Sequence, residues 1–208
     1  SGKSKLASIL FGLETASAGD ILLHDKPYSP KNPKQAIQRG VFLCARDRAN
    51  NAIIPAFDIV DNTTLPFYAR HSFLGFLGRS SQQRASEQMI SQLSIVCQSA
   101  SDGVTTLSGG NQQKVIIGRW LYQSPRLLLL DEPFQGVDIK SRRDIGQRIR
   151  HSAIGRATLV FVSEIDEALE IADRLVVLHE HSIIDVHNNG DVSVETLTAQ
   201  MTGVSAAP

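Results

Sequence analysis

An unbroken apolar run, Leu127-Leu128-Leu129-Leu130, ends directly in Asp131-Glu132-Pro133. A strand that is apolar at every position must be covered on both faces, which is typical of the parallel sheets of α/β proteins. The carboxyl end of such a strand is where these sheets bind their ligands. Asp131 is therefore a candidate ligand of Mg²⁺, and Glu132 is a candidate base that activates a water molecule. The alternative is a strand that ends in a solvated acidic turn.

The rest of the chain alternates apolar runs of strand length with segments of helical periodicity, so we predict an α/β fold with a mainly parallel sheet. The predicted helices span 5–13, 33–38, 84–95, 110–122, 139–150, 165–172 and 194–201. The predicted strands span 41–44, 127–130, 158–162 and 175–178, with hairpins at 21–27 and 182–186. From 57 to 106 strand-like runs vanish while serines and glutamines rise, which indicates a helical subdomain inserted into the α/β core.

Composition restricts the class of protein. The apolar content of 42% is enough for a buried core. The 21 lysines and arginines equal the 21 aspartates and glutamates, so the chain lacks the broad positive field of a non-specific nucleic-acid binder, and no nucleic-acid partner is expected. No apolar stretch approaches the roughly 20 residues of a membrane-spanning helix. No signal peptide is expected either.

Two further segments have the chemistry of phosphate binding. Ser1-Gly2-Lys3-Ser4 matches the last part of a P-loop, which needs backbone N–H groups at a helix start, a lysine for the β- and γ-phosphates and a hydroxyl for Mg²⁺. Ser108-Gly109-Gly110 precedes a predicted helix and offers a hydroxyl, unhindered amides and a positive helix end. An ordinary capped helix start has the same residues. The order of the three motifs along one chain is what favours the functional interpretation.

With these motifs in this order, the chain resembles the nucleotide-binding domain of ABC transporters over essentially its whole length. Residues 1–4 resemble the end of Walker A, 107–112 the signature, 127–132 Walker B and 136–138 the D-loop. The longer run Leu-Ser-Gly-Gly-Asn-Gln-Gln-Lys at 107–114 is similar to the C-terminal half of the fused ATPases of bacterial monosaccharide importers.

The resemblance implies a P-loop NTPase (RecA-like) fold. Its core would comprise 1–56 and 108–187, with the helical subdomain at 57–107 and a C-terminal tail at 188–208. The N-terminal strands and the start of the P-loop are expected to be missing. A fragment without them is expected to bind ATP poorly and to hydrolyse none measurably.

The resemblance also implies which residues act on ATP and Mg²⁺, the expected cofactors. Glu132 would be the catalytic base, and Ser4 and Asp131 would hold the metal. The implied nucleotide-binding residues are Ser1, Gly2, Lys3, Ser4, Lys5, Arg46, Ser108, Gly109, Gly110, Gln112, Asp138 and Glu164. Two such domains would close head to tail, so that the signature turn faces ATP held by the partner domain and Asp138 couples the two sites.

Two positions depart from the pattern common in the family. Glu164 stands where many members have a histidine that contacts the γ-phosphate, and a carboxylate there would repel that phosphate. Arg46 stands where a glutamine usually helps to hold Mg²⁺ and water. It could pair with a phosphate or with a partner's carboxylate, or it could be a solvated surface residue.

By resemblance, the chain is expected to be an ATPase that energises import of a sugar or sugar-like solute at the cytoplasmic face of the bacterial inner membrane. The expected partners are a second ABC ATPase domain, permease subunits contacted through about 49–68 and, indirectly, a periplasmic solute-binding protein. One alternative is a domain with a weak site of its own that mainly completes its partner's ATP site. Another is an ABC ATPase that acts on ribosomes or DNA.

The remaining candidates are interpreted as structural. Cys44 and Cys97 are expected to be core or half-buried residues, and Trp120 a core residue. The histidines show no metal-ligand spacing and are expected at surface or edge positions; they are His24, His71, His151, His179, His181 and His187. The arginines of the 139–150 helix, namely Arg142, Arg143, Arg148 and Arg150, are expected to form a solvated face.

Overall fold

The computed structural model describes residues 2–46, 52–73 and 75–203. Its helices are α1 Lys3–Phe11, α2 Pro33–Gln38, α3 Ile59–Thr64, α4 Arg79–Leu93, α5 Gly109–Leu121, α6 Ile139–His151, α7 Ile165–Ile171 and α8 Val194–Met201. Its strands are β1 Leu22–Leu23, β2 Lys26–Pro27, β3 Val41–Cys44, β4 Ser72–Phe73, β5 Phe76–Leu77, β6 Leu127–Asp131, β7 Ala157–Phe161, β8 Arg174–His179 and β9 Ser182–Asn188. Two 3₁₀ segments, Leu65–His71 and Val104–Thr106, complete the described elements.

The centre of the fold is a parallel sheet in the order β3-β6-β7. β6 is buried at all five positions, as its unbroken apolarity predicts, because it lies between two parallel neighbours and beneath helices. Its register pairs Val41 with Leu127 on one side and Asp131 with Phe161 on the other. The three strands therefore end at one edge, which carries the acidic residues.

A single hydrophobic cluster joins the sheet to the helices of the 57–107 region. At its centre the ring of Trp120 on α5 lies 5.5 Å from that of Phe42 on β3 and 6.1 Å from that of Phe67. Such inclined and edge-to-face ring pairs add to the burial of apolar area. The core prediction for Trp120 is confirmed, since its exposure is 8%. Cys44 is buried and Cys97 half-buried, also as predicted.

Three local predictions are wrong. The 57–106 region is not free of strands, because β4 and β5 form a short antiparallel hairpin whose turn residue Gly75 has φ 86°. The hairpin predicted at 182–186 is instead a single strand, β9, and the turn lies between it and β8, with which it pairs antiparallel. The predicted strand at 175–178 is confirmed as part of β8. His71 is not at the surface; it is 5% exposed, stacks on Tyr122, and its Nδ1 lies 3.0 Å from the hydroxyl of Ser81.

The solvated face predicted for the arginines of α6 is found at Arg143 and Arg150, which are exposed. Arg142 and Arg148 are half-buried, and all four arginines pair with a carboxylate. Arg142 lies 3.1 Å from Glu170 and 3.8 Å from Glu167, and Arg143 lies 3.5 Å from Glu170. Arg148 and Arg150 pair with Asp144 and Asp173 at 2.9 and 2.7 Å. The basic face of α6 is thus neutralised mainly by α7 and by acidic residues nearby.

A partly buried ion pair joins α5 to α6. Lys114 is only 8% exposed, and its Nζ lies 2.5 Å from Asp144 Oδ2 and donates to the carbonyl of Ser94 at 3.1 Å. Burial alone would raise the pKa of Asp144, but the hydrogen bond and charge of Lys114, with help from Arg148, hold it below its ordinary value. A carboxyl whose pKa is depressed by folding stabilises the fold above its unfolded pKa, near 4, and loses that contribution as the pH falls through the folded value.

Replacing Asp144 by asparagine is expected to lower the free energy of unfolding by about 1–2 kcal/mol at pH 7, because Lys114 keeps its buried charge without a counter-ion. The loss is smaller than for a fully buried pair because water reaches the third of Asp144 that is exposed. Urea unfolding measures the difference, which should shrink below about pH 4 as the wild-type carboxyl becomes protonated. Asp173→Asn is the matched control, because this α6 partner is 86% exposed and its pair should contribute little. An equal loss in both variants would contradict the prediction.

Candidate functional site

The structure gathers most of the proposed site residues into two groups. The first lies at the edge where β6 and β7 end. Glu132 directly follows β6 and takes a left-handed backbone conformation with φ 48°, which a residue with a side chain adopts rarely. Its N–H donates to the carbonyl of Phe161 at 2.8 Å, so the backbone of Glu132 extends the pairing of β6 with β7 by one bond. This turn holds the Glu132 carboxylate beside the residues that follow β7.

Ser163 fixes the carboxylate of Glu132. Its hydroxyl donates to Oε1 at 2.5 Å and its backbone N–H donates to Oε2 at 3.3 Å. Glu132 is 9% exposed, so these bonds replace water that the carboxylate has lost on folding. Ser163 is not among the site residues predicted from the sequence, because one serine after a strand has no distinguishing signal until its spatial partner is known.

Lys3 completes this group from the first turn of α1. Its ammonium donates to the carbonyl of Val162 at 2.6 Å and to Ser163 Oγ at 3.0 Å, and it lies 3.5 Å from Glu132 Oε1. Gly2 precedes the helix with φ 86°, a left-handed conformation that glycine adopts without steric cost. A lysine, a glutamate and a hydroxyl from three distant parts of the chain thus converge at one edge of the sheet.

Asp131 is the last residue of β6 and is 7% exposed. Among the described residues, no hydrogen-bond donor reaches its buried Oδ1. A buried carboxylate oxygen without a donor carries an uncompensated desolvation cost, which a hard cation such as Mg²⁺ would remove. The chemistry of Asp131 therefore fits a magnesium ion, and the hydroxyl of Ser4 on α1 is an oxygen ligand of the kind that this ion takes. Ser4 and Lys5 are both exposed.

Glu164 lies at the same edge but does not enter the contacts of the Lys3 group. It is exposed and occupies the position before α7, where its side chain does not cap the helix. Arg46, beyond the end of β3, is also exposed. Ser1 lies outside the described residues. Ser163, and not its neighbour Glu164, is the residue that joins Lys3 to Glu132.

The second group surrounds the start of α5. Ser108 caps this helix, since its Oγ accepts from the N–H of Asn111 at 3.4 Å and from Asn111 Nδ2 at 3.0 Å. Gln112 Nε2 donates back to the carbonyl of Leu107 at 3.0 Å. Gly109 and Gly110 form the first residues of the helix, so their backbone amides are at its positive end.

Gly110 is packed directly against the start of α6. A Cβ at this position would lie 2.6 Å from Ser141 Oγ, 2.8 Å from Ser141 Cβ and 3.8 Å from Asp138 Oδ2. Asp138 caps α6, because its carboxylate accepts from the N–H and the hydroxyl of Ser141 at 2.9 and 2.7 Å. These bonds hold the pKa of Asp138 below its ordinary value. The signature turn and the D-loop are thus in contact, which the sequence could not indicate.

Comparison with known proteins assigns these motifs to a family. Residues 1–135 match the family profile described as ABC transporter. The chain is 34% identical over 204 residues to a ribose import ATP-binding protein of Rubrobacter xylanophilus, which covers 98% of this chain and 39% of that protein. It is 36% identical over 181 residues to a galactofuranose transporter ATP-binding protein of Escherichia coli K12, covering 86% of this chain and 36% of that one.

A solved ATP-binding cassette of an ABC transporter has the same fold, with a TM-score of 0.80 over 99% of this chain and 84% of that chain at 19% identity. The predicted P-loop NTPase fold is therefore confirmed. The chain spans about two fifths of the length of the first of these relatives. By the extent of the profile match and the identity to sugar-import ATP-binding proteins, the chain belongs to the ABC transporter family and carries its ATP-binding domain.

Proposed function

We propose that the chain is the ATP-binding and ATP-hydrolysing part of a protein that energises import of a sugar or sugar-like solute across the bacterial inner membrane. The observation that carries this proposal is the convergence of Lys3, Glu132 and Ser163 at the carboxyl edge of the parallel sheet. The ribose and galactofuranose names of the relatives give the solute class. In this proposal both the activity and the solute belong to the whole protein, of which this chain would be one ATP-hydrolysing part.

In this proposal the nucleotide phosphates lie over the N-terminus of α1. Residues 1–5 bind them, with Lys3 on the β- and γ-phosphates and backbone amides on the remaining oxygens. Ser4 and Asp131 would hold Mg²⁺, which supplies charge neutralisation of the phosphate oxygens when bound. Glu132, held by Ser163, orients the attacking water and accepts its proton.

The signature turn acts in trans. Ser108, Gly109, Gly110 and Gln112 would face the γ-phosphate of ATP held by a second ABC ATPase domain. Asp138 would couple the two ATP sites when the two domains close, because it lies beside Gly110 and caps α6. This arrangement is consistent with the two groups of site residues, one built on the sheet edge and the other on the start of α5.

The membrane side of the proposal rests on the loop before α3. Segment 49–68 would contact permease subunits, and a periplasmic solute-binding protein would be an indirect partner through those subunits. This chain would lie at the cytoplasmic face of the inner membrane. Among the described residues, none of the helices combines the length and the apolar character needed to cross a bilayer. A nucleic-acid partner is disfavoured by the zero net charge.

A second candidate function is supported by one observation. Glu164 is exposed at the edge that would face the γ-phosphate, where its charge would oppose phosphate binding. With Arg46 at the position of the usual glutamine, this domain would hydrolyse ATP slowly itself and mainly complete its partner's site. The ordered Glu132 carboxylate favours the first candidate.

The test is ATP turnover by the full-length protein alone and after reconstitution with its membrane subunits in lipid vesicles. We expect turnover to require Mg²⁺ and to rise at least about fivefold with the membrane subunits, the lower end of typical allosteric coupling. Added RNA or DNA should leave turnover unchanged. Stimulation by nucleic acid instead of by membrane subunits would favour the soluble, non-transport alternative and overturn the proposal.

A further inference from the structure

A buried polar contact joins the signature helix α5 to α3. Arg119, two residues before the end of α5, is 6% exposed, and its Nε donates to the carbonyl of Asn62 at 2.5 Å. Its Nη2 donates to Asn62 Oδ1 at 3.2 Å. Burial lowers the pKa of Arg119 to about 10. Because burying a guanidinium is costly, a contact of this kind is retained only where its geometry is well satisfied.

Asn62 in turn holds the loop that precedes α3. Its Oδ1 accepts from the N–H of Ile54 at 3.0 Å, and its Nδ2 donates to the carbonyls of Ile54, Phe57 and Asp58 at 3.1, 3.3 and 3.0 Å. Asn62 is fully buried. One side-chain amide therefore fixes the backbone at both ends of residues 54–58, while Pro55 and Ala56 between them are exposed.

α3 is also held on the side of α4, so that the loop and the helix form a stiff unit. Gln82 donates to Thr64 Oγ1 at 2.9 Å, and both residues are buried. Arg79 pairs with Asp58, the residue that caps α3, and with Asp61. The loop is thus connected to α5 by polar bonds, of which those of Arg119 are buried and those from Asn62 to the loop are half-buried.

The first turn of α5 belongs to the proposed ATP site of the partner domain, and its last turn contacts α3 beside the proposed permease surface. Its first residues are the signature turn, and Arg119 is ten residues further along, about 15 Å at 1.5 Å per residue. We propose that the Arg119–Asn62 contact is the positioning link that transmits movement of the signature helix to the exposed loop 54–58, the surface assigned above to the permease. This inference rests on the proposed function and adds the residues through which the two sites communicate.

Two variants break the link in different ways without touching the residues proposed to bind ATP. Asn62→Asp keeps an acceptor for Ile54 and Arg119 but loses the amide that donates to three loop carbonyls. Arg119→Lys keeps the charge but loses the two-point geometry of the guanidinium. Arg156→Lys is the matched control, because this half-buried arginine binds the carbonyl of Ile149 and the residue Ser152, away from α3.

The full-length proteins are compared for ATP turnover alone and with the membrane subunits in vesicles. We expect turnover without membrane subunits to stay within about twofold of wild type in both variants. The stimulation by membrane subunits should fall from at least about fivefold to less than about twofold. The control should be stimulated normally. Hydrogen exchange at the backbone N–H groups of Ile54 and of residues 56–58 should respond to ATP in the wild type and not in Arg119→Lys.

Normal stimulation of both variants, or an equal loss of turnover with and without membrane subunits, would overturn the link and leave the proposed function intact. A wild-type protein that the membrane subunits do not stimulate would instead overturn both. If Asn62→Asp fails to fold, Arg119→Lys decides the matter with the same two readouts.

Discussion

Glutamine in place of Glu132 is expected to lower ATP turnover at this site by a factor of about 10²–10³, with nucleotide still bound. Glutamine has the same shape and can still accept from the hydroxyl of Ser163, but its amide cannot take a proton from the attacking water. Lys3 stays in place through the carbonyl of Val162 and through Ser163. The variant should therefore keep its affinity for ATP while losing turnover. Nucleotide affinity and steady-state turnover, both measured on the full-length protein, test this.

A graded variant tests whether Ser163 positions this base. Ser163→Ala removes the 2.5 Å hydrogen bond but keeps the carboxylate, so we expect a loss of about tenfold, the equivalent of one hydrogen bond to a charged group. Glu87→Gln, an exposed change on α4, is the control and should leave turnover unaltered. Undiminished turnover in Glu132→Gln, combined with full loss when the equivalent residue of the partner domain is changed, would favour the second candidate function.

The elements that could be predicted from the sequence are those whose signal is local. β3, α2 and α8 have the predicted bounds, because an apolar run or a cap with helical spacing defines each of them. α4 begins at Arg79, five residues before the predicted start. Its polar first turn resembles a flexible joint in the sequence, yet Gln82 is buried against Thr64 and Arg79 pairs with Asp58. Tertiary contacts thus decide where this helix begins.

The same division holds for the site. The three motifs could be found from their residue types and order, but the residues that contact them in the fold could not. Ser163 meets Lys3 across 160 positions, and Ser141 lies against Gly110 only because α5 and α6 pack with their first turns adjacent. β8 pairs with β9 and not with the described parallel sheet. The residue composition of a strand does not specify which neighbour it pairs with, so this pairing could not be predicted.

Valine at position 110 is expected to lower the turnover of the full-length protein by about 10²–10³, the range found when a donor to a developing charge is removed. A Cβ there would meet Ser141 at 2.6 and 2.8 Å, closer than side-chain atoms approach one another. The hydroxyl of Ser141 can turn aside only by losing its bond to Asp138, and the Cβ of Ser141 cannot move without the backbone of α6, which Asp138 holds through the Ser141 N–H. The start of α5 must move instead, and the signature amides leave their place.

ATP binding at this chain's own Lys3 should be unchanged in Gly110→Val, because the signature turn acts on the nucleotide of the partner domain. Gly146→Ala on α6 is the control for added bulk, since a Cβ there meets nothing within 4 Å. Loss of ATP binding in Gly110→Val would place the turn in this chain's own site and contradict action in trans. If Gly110→Val abolishes turnover while Glu132→Gln does not, the domain serves its partner's site more than its own. If both variants abolish turnover, hydrolysis at the two sites is coupled.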